Sequence, residues 1–375
     1  MSRIWGTYHV RGIALFIAIL NPVITIPFLL SGYNVVSVSL VKFFVDIAAL
    51  MVYFIFSFFS QRLQFKNFIE KREKYRLIKE IVYFCAFIML YVTVDTINKS
   101  FDKIILGFMG LPELVSIYAL GRAFLEYTYL ASVYISANYI QIINHRIVSK
   151  QYREVNAFFI KLSKTGLIMM FFIFGGFLVS GNTFVHSWLS NSTYTENELH
   201  QIYWIALSLI FVHIVPFSQV SAIEIQRGYN KHYRPTIILI ISALINIGLT
   251  IGLINLFPRE NAVWACLIST IITTFISQWI VLNIFYKKEL YLDVKAYYLL
   301  FLKNMFIALI PSVICIIAYT QLINLSLYMS GWLVFLVQGS SYVMLYSLFL
   351  FLFEKHLVIG SIKRIWYKIA KIFNH

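Results

Sequence analysis

The sequence predicts an all-α integral membrane protein with about ten transmembrane helices. Of its 375 residues, 60% are hydrophobic and only 13% are charged, whereas a soluble domain carries about 25% charged residues. Apolar runs of about 20 residues recur along the chain, and each is long enough to cross a bilayer core of about 30 Å. The runs are continuously apolar rather than alternating, which favours helices over the strands of a membrane barrel.

Length and hydropathy place ten candidate spans along the chain. The fourth run is too long for the bilayer core, so we expect that helix to be tilted or to project from the membrane. The sixth holds Pro216 near its middle, and the missing backbone N–H of a proline predicts a kink there. The predicted spans are Val10–Leu30, Val35–Phe59, Glu80–Ile97, Leu114–Ile143, Gly166–Val185, Ile202–Ile223, Thr236–Leu256, Ala262–Phe285, Phe306–Ile323 and Trp332–Phe353.

The basic residues alternate between the loops. Most of the 31 Lys and Arg residues fall in every second loop when the N-terminus is placed in the cytoplasm. The positive-inside rule therefore predicts that both termini are cytoplasmic. The same cations account for the net charge of +15. They orient the protein and meet anionic membrane lipids, so no nucleic-acid partner is needed to explain them.

Motifs of common enzymes and ATP-driven pumps are missing from the sequence. It contains no G-x-x-x-x-G-K-[ST] phosphate loop, no H-E-x-x-H or C-x-x-C motif and no G-x-S-x-G nucleophile elbow. Cys85, Cys266 and Cys315 all lie in apolar runs, which predicts structural thiols rather than a metal site. Many spans with short loops and few polar groups are typical of a transporter. We therefore expect no enzymatic activity, no metal and no cofactor.

Two pairs of opposite charges lie four residues apart within predicted spans. Lys42 and Asp46 share one face of the second span, and Arg122 and Glu126 share one face of the fourth. Two interpretations stay open: each pair neutralises itself inside the bundle, or its cation faces a cavity and binds an anion. We favour Arg122 as an anion-binding residue, because a guanidinium holds phosphate in a bidentate fork.

Further polar residues lie in the sixth and seventh spans. His213 and Gln219 fall near the middle of the sixth, and Asn246 precedes Gly248 and Gly252 in the seventh. His213 is either a hydrogen-bonded packing residue or a proton carrier. The G-x-x-x-G pair predicts that another helix approaches closely.

Four charges cluster at the end of the third predicted span, in the stretch Asp95–Glu113. A charge at the bilayer centre costs about 2.5–3.5 kcal/mol on insertion scales, so such a cluster is either interfacial or functional. Local pairing of Asp95 with Lys99 favours a cluster at the lip of the membrane, and the same cluster contains Asp102 and Lys103.

Two segments carry a recognisable order of residues. In Phe101–Tyr127, an acidic-basic pair precedes an I-L-G stretch, and after a short loop a helix begins with a V-x-x-Y-A-like segment. In Gln226–Ile254, a short basic turn precedes a helix with a central Asn. In this order and spacing the chain resembles the polysaccharide, or O-antigen (Wzx-type), flippases of the multidrug/oligosaccharidyl-lipid/polysaccharide exporter superfamily. Ala262–Ile271 (AVWACLISTI) looks like the next helix of that family. The matching residues are Asp102, Lys103, Ile105, Leu106, Gly107, Tyr118, Ala119, Arg227, Lys231, Asn246 and Leu249.

The resemblance implies a fold of two lobes that alternately open a central cavity to each side of the bacterial cytoplasmic membrane. It implies an oligosaccharide on an undecaprenyl pyrophosphate carrier as cargo, in O-antigen, capsule or exopolysaccharide biosynthesis, with a polymerase and other assembly proteins as partners. By resemblance Arg122 lies on a cavity-lining helix, near the position where lipid II flippases use an arginine for the pyrophosphate; Lys42 is a weaker candidate. The implied cavity or gating residues are Asp46, Asp102, Lys103, Glu126, His213, Gln219 and Asn246.

The chain departs from that family in its first part. The resemblance covers what would be helices five to fourteen, so we expect an incomplete N-terminal lobe that reflects a truncation or a misplaced start. The expected organisation is as follows: residues 1–59 form the remnant of the first lobe, 60–79 a basic cytoplasmic connector, 80–286 a six-helix lobe, 287–353 two additional helices and 354–375 a basic amphipathic tail.

Three alternatives stay open. A multidrug exporter of the same superfamily would favour acidic and aromatic groups in its cavity, and the basic Arg122 and Lys42 argue mildly against it. A polysaccharide polymerase would be an enzyme with a large exterior loop, whereas the exterior loops here are short and poor in Arg. The third alternative is a truncated flippase without transport activity.

Overall fold

The computed structural model describes residues 20, 23–27, 31, 35–60, 71–137, 139–322 and 330–355. The chain divides into two units, Met1–Glu80 and Ile81–His375. Three predicted features lie wholly or largely outside the described residues: the first span, the middle of the basic connector and the amphipathic tail.

The first unit contains helix α1, Val35–Ser60, and the start of helix α2, Lys71–Phe108. The bounds of α1 agree with the second predicted span, as its continuous apolar sequence leads one to expect. Arg76 and Glu80 form an ion pair on the exposed surface of α2, where such a pair adds little stability.

The second unit is a bundle of helices. The part of the chain that the structure describes contains no β-strand. The helices that follow α2 are α3 (Pro112–Ala137), α4 (Ile140–Val148), α5 (Tyr152–Trp188), α6 (Glu196–Val212), α7 (Ile214–Ser218), α8 (Val220–Gly228), α9 (Tyr233–Leu256), α10 (Ala262–Thr274), α11 (Leu282–Glu289), α12 (Val294–Ile317) and α13 (Gly331–Phe353).

Six helical segments among the described residues are long and apolar enough to cross a membrane. The protein is therefore an all-helical chain of the multi-pass membrane type, with spans that agree with several of those predicted. The six segments are Tyr75–Phe108, Tyr152–Trp188, Tyr233–Leu256, Arg259–Glu289, Val294–Thr320 and Gly331–Phe353.

Helix α5 lies at the centre of the second unit and packs against α3, α6, α7, α12 and α13. Two of its glycines permit the close approach. A Cβ at Gly166 would lie 2.9 Å from the backbone of Ser218, and one at Gly175 would lie 2.3 Å from the hydroxyl of Tyr342.

The seventh predicted span, which is α9, lacks the close helix approach that its two glycines predicted. A Cβ at Gly248 or Gly252 would meet no described atom within 4 Å. The predicted packing role of that G-x-x-x-G pair is wrong for the described part of the chain.

The fourth and sixth predicted spans are interrupted. The fourth ends as a helix at Ala137, and α4 starts anew at Ile140, so it is not one long tilted helix; hydropathy marks apolar residues but not helix ends. The sixth is broken at His213 and Gln219, one break on each side of the proline that predicted a kink.

Pro216 leaves the carbonyl of Val212 without its usual backbone donor, because proline has no N–H. The indole Nε1 of Trp279 donates a hydrogen bond of 2.7 Å to that carbonyl. Trp279 belongs to a π-helical turn, Phe275–Val281, between α10 and α11. Asn283 and Tyr298 donate to carbonyls that this wide turn releases. The π-helical turn thus donates to the broken helix, and residues of α11 and α12 donate to the turn.

Candidate functional site

A cavity that is open to the outside on one side lies within the second unit. Helices α2, α3, α7 and α8 form one part of its wall. Helix α9, the π turn Phe275–Val281 and the ends of α10 and α11 form the other part. Polar and aromatic side chains line it among apolar ones. The polar and aromatic lining residues are Tyr91, Asp95, Asn98, Lys99, Arg122, Glu126, Tyr129, His213, Phe217, Gln219, Gln226, Thr270, Thr274, Gln278 and Tyr286.

Arg122 is the buried cation of this wall. Its side chain is only 5% exposed, and neither Nε nor Nη1 has a hydrogen-bond partner among the described residues. Close packing of α3 on α6 fixes its place, because a Cβ at the preceding residue, Gly121, would lie 2.7 Å from Ile205. Burying a charged group whose donors are unsatisfied is costly, and the electrostatic attraction of Asp102 is the interaction with a carboxylate that the structure gives it.

The predicted pair of Arg122 with Glu126 does not form in the described residues. Glu126 also lines the cavity, but its side chain is exposed, and Arg122 is buried. Residues four apart share a helix face, yet the tertiary packing buries the side chain of Arg122 and leaves that of Glu126 exposed. Neutralisation of this pair within the bundle, one of the two open interpretations, is wrong for this structure.

Asp95 and Lys99 form the ion pair that their spacing predicts. The ammonium of Lys99 also lies 4.8 Å from the ring centroid of Tyr129. Both residues lie within α2, which continues to Phe108, and their location at the lip of the membrane stays a prediction. Both line the cavity, where Lys99 is a second but already paired cation.

Asp102 is 1% exposed and lies behind the cavity wall rather than at the end of a helix. Its Oδ2 accepts hydrogen bonds from Tyr118 at 2.6 Å and from Thr270 at 3.1 Å. Its Oδ1 has no hydrogen-bond partner among the described residues. The contacts join α2, α3 and α10, and Thr270 itself lines the cavity.

The remaining predicted residues fall into three groups. His213 and Gln219 line the cavity, and the amide of Gln219 donates to Asn283 at 2.8 Å. Asn246 is buried next to the wall, where it donates to Asn98 at 3.1 Å. Lys103 is half-buried on α2 and does not line the cavity.

Lys42 and Asp46 lie in the first unit, on α1. Both side chains are exposed, and within the described residues they form no ion pair with each other. Neutralisation of this pair, one of the two interpretations left open, is therefore not found among the described residues.

Sequence reasoning missed several residues of the wall, among them Asn98, Tyr129, Gln226 and Gln278. Asn98 and Tyr129 each lie three residues from a predicted polar residue, Asp95 and Glu126, and helical spacing alone indicates that they share a face with it. Gln278 gave no such signal, because the π turn changes which face its side chain occupies.

Within the described ranges, no group of three His, Cys, Asp or Glu side chains is arranged to hold a metal ion. The wall presents the guanidinium of Arg122, the amides and hydroxyls of several side chains, and aromatic rings. No family model, no curated protein and no solved structure matches the chain.

Proposed function

We propose that this protein is a transporter of the bacterial cytoplasmic membrane that moves an oligosaccharide linked to a polyprenyl diphosphate across the bilayer. The observation that carries the proposal is the buried guanidinium of Arg122, whose Nε and Nη1 have no hydrogen-bond partner among the described residues, in a cavity among membrane-type helices. An arginine in this setting recognises a diphosphate through paired, charge-assisted hydrogen bonds.

The remainder of the cavity suits the proposed cargo. Gln219 and Gln278 offer amides that hydrogen-bond to sugar hydroxyls, and Tyr91 and Tyr286 offer flat apolar faces with polar tips. These groups match the polarity of a headgroup with attached sugars.

The breaks at His213 and Gln219 support a transporter as well. Non-helical backbone at membrane depth is tolerated where it lines a cavity, and interrupted helices frequently form transporter binding sites. A helix in two pieces can change its angle without unfolding, as alternating access requires.

The proposal is tested with the full chain in proteoliposomes that contain a fluorescent, polyprenyl-diphosphate-linked sugar. Arg122→Gln and Arg122→Ala should abolish transport without loss of folding, because each removes the cation. Arg122→Lys should retain part of it, because the charge stays while the bidentate fork is lost. The matched control is Arg259→Gln, which removes an exposed arginine outside the cavity. Transport by Arg122→Gln at the wild-type rate would refute the assignment.

A second candidate, export of cationic compounds, is favoured by one observation. Glu126 lines the cavity with an exposed carboxylate and has no ion-pair partner among the described residues. Under this function Glu126→Gln should abolish export of a fluorescent cation, and Arg122→Gln should leave it intact. The two functions therefore predict opposite responses to the same pair of variants.

A further inference from the structure

His213 occupies the break between α6 and α7 with a defined tautomer. Its Nδ1 lies 2.8 Å from the carbonyl oxygen of Leu209. A carbonyl only accepts hydrogen bonds, so Nδ1 must carry the hydrogen. The lone pair of the neutral ring is therefore on Nε2, which is the atom that a proton would bind.

The imidazole lines the cavity and is 9% exposed. The Nε2 atom of His213 is not fully enclosed by other atoms, whereas Nε and Nη1 of Arg122 are. The ring thus has limited access to the cavity contents, while its other nitrogen is anchored to the helix backbone.

The charges around the cavity decide when this ring can bind a proton. Arg122 and Lys99 line the same cavity as His213, and like charges repel one another. The carboxylate of Asp95 is paired with Lys99. The walls formed by α7, α8, α9 and α10 contribute no charged side chain to the lining. The titratable groups that line the cavity with His213 are Tyr91, Asp95, Lys99, Arg122, Glu126, Tyr129 and Tyr286.

We propose that His213 binds a proton at Nε2 when the cavity binds its anion, so that anion and proton occupy the cavity together. This inference rests on the proposed function, because it needs a diphosphate at Arg122. In the empty cavity the two cations oppose the imidazolium form. A bound diphosphate offsets their charge and attracts the imidazolium, so each ligand favours the other by linkage.

The sign of the pH dependence follows from this linkage. The anion binds more tightly to the protonated ring, so its affinity rises as the pH falls through the titration range of the histidine in the complex. For a single linked proton the affinity changes by up to about tenfold for each pH unit. Above that range the ring is neutral with and without the anion, and the contribution disappears.

The experiment measures inorganic pyrophosphate binding to the purified full chain in nanodiscs by calorimetry, between about pH 4 and pH 8. Wild type is compared with His213→Asn, whose amide can still donate to the Leu209 carbonyl but does not titrate. His145→Asn is the control, because His145 does not line this cavity. Each measurement is repeated in two buffers of different ionisation enthalpy, which reports the protons taken up with the ligand.

We expect wild type and His145→Asn to take up more protons than His213→Asn and to show the steeper fall in affinity with rising pH. The protonation of pyrophosphate itself is the same for every variant, so it cancels in the difference. His213→Gln provides a second non-titrating variant should the Asn variant fail to fold.

The outcomes separate this inference from the function on which it rests. Tight pyrophosphate binding with equal pH dependence in wild type and His213→Asn would overturn the role of His213 and leave the anion site intact. Failure of wild type to bind pyrophosphate at any pH would overturn both. Reduced proton uptake in His213→Asn alone would support the proposal.

Discussion

The hydroxyl of Tyr118 on α3 donates a hydrogen bond of 2.6 Å to the carboxylate of Asp102 on α2, and both side chains are almost fully buried. Thr270 on α10 donates to the same oxygen. Arg122 follows Tyr118 by four residues, one helical turn later on α3. The carboxylate of Asp102 therefore connects α2, α3 and α10, and all three helices also line the cavity.

Removal of that carboxylate should destabilise the second unit. Asp102→Ala leaves two buried hydroxyls without an acceptor, at about 1–3 kcal/mol for each unsatisfied group. The measurement is the thermal unfolding midpoint of the purified protein in detergent. Combining Asp102→Ala with Tyr118→Phe should cost less than the sum of the two single changes, because they break the same contact. Strictly additive effects would show that the hydrogen bond contributes nothing.

Arg122 is expected to serve binding at the expense of stability. Replacing a buried charged group by an apolar side chain of similar volume is often neutral or stabilising, by up to about 4 kcal/mol where ion pairs were replaced. We therefore expect Arg122→Met to keep or raise the unfolding midpoint while it abolishes pyrophosphate binding. A clear drop in the midpoint would instead indicate that the guanidinium holds the bundle together.

Two glycines provide a matched test of helix packing. A Cβ at Gly166 would lie 2.9 Å from backbone atoms of Ser218, which cannot rotate away, so Gly166→Ala should destabilise by the roughly 1–3 kcal/mol typical of overpacking. A Cβ at Gly248 meets no described atom within 4 Å. Gly248→Ala should therefore be neutral or stabilise by up to about 1 kcal/mol through helix propensity. Equal unfolding midpoints for the two variants would contradict the packing described for α5 and α7.

Glu354 follows the end of α13 and forms ion pairs with Lys164 of α5 and Lys303 of α12. Burial opposes its ionisation, but the two lysines outweigh that effect and hold the pKa of the carboxyl below its ordinary value of 4.5. A lowered pKa stabilises the folded state above the ordinary value, and this contribution is lost as the pH falls through the folded pKa.

Below pH 4.5, the thermal unfolding midpoint of wild type should therefore decrease more steeply with falling pH than the midpoint of Glu354→Gln. At neutral pH the variant should be less stable, by about 1.5–3 kcal/mol, the range for hydrogen bonds to charged groups. If the unfolding midpoints of the two proteins change in parallel with pH, the ion pairs of Glu354 with Lys164 and Lys303 do not contribute to stability.

Several elements of the fold were predictable because they depend on local properties. The bounds of α1, α9 and α13 lie within a few residues of the predicted spans, since a continuous apolar run of sufficient length favours a membrane helix. The break near Pro216 was indicated by the missing N–H of proline. The π turn at Phe275–Val281 was not, because its released carbonyls are satisfied by Asn283 and Tyr298, and nothing in the local pattern identifies those donors.

The candidate site was predicted only in part. Arg122, His213 and Gln219 were selected as polar residues within apolar spans, and all three line the cavity. Lys103 was selected through the charged cluster after the third predicted span and through the family resemblance, and it lies outside the wall. Polarity within a span identifies residues that need a partner, but it does not tell which helix supplies that partner.

The sequence by itself determined that this chain is helical and of the membrane type, because an apolar run of about 20 residues favours a membrane helix whatever the rest of the chain does. The spacing of four residues places Asp95 and Lys99 on one helix face, where they form an ion pair. Only the tertiary structure decided that Arg122 is buried, with no ion pair to Glu126 among the described residues, while Glu126 stays exposed. That difference depends on helices distant in sequence, such as α6 packed against Gly121, whose approach the local pattern does not encode.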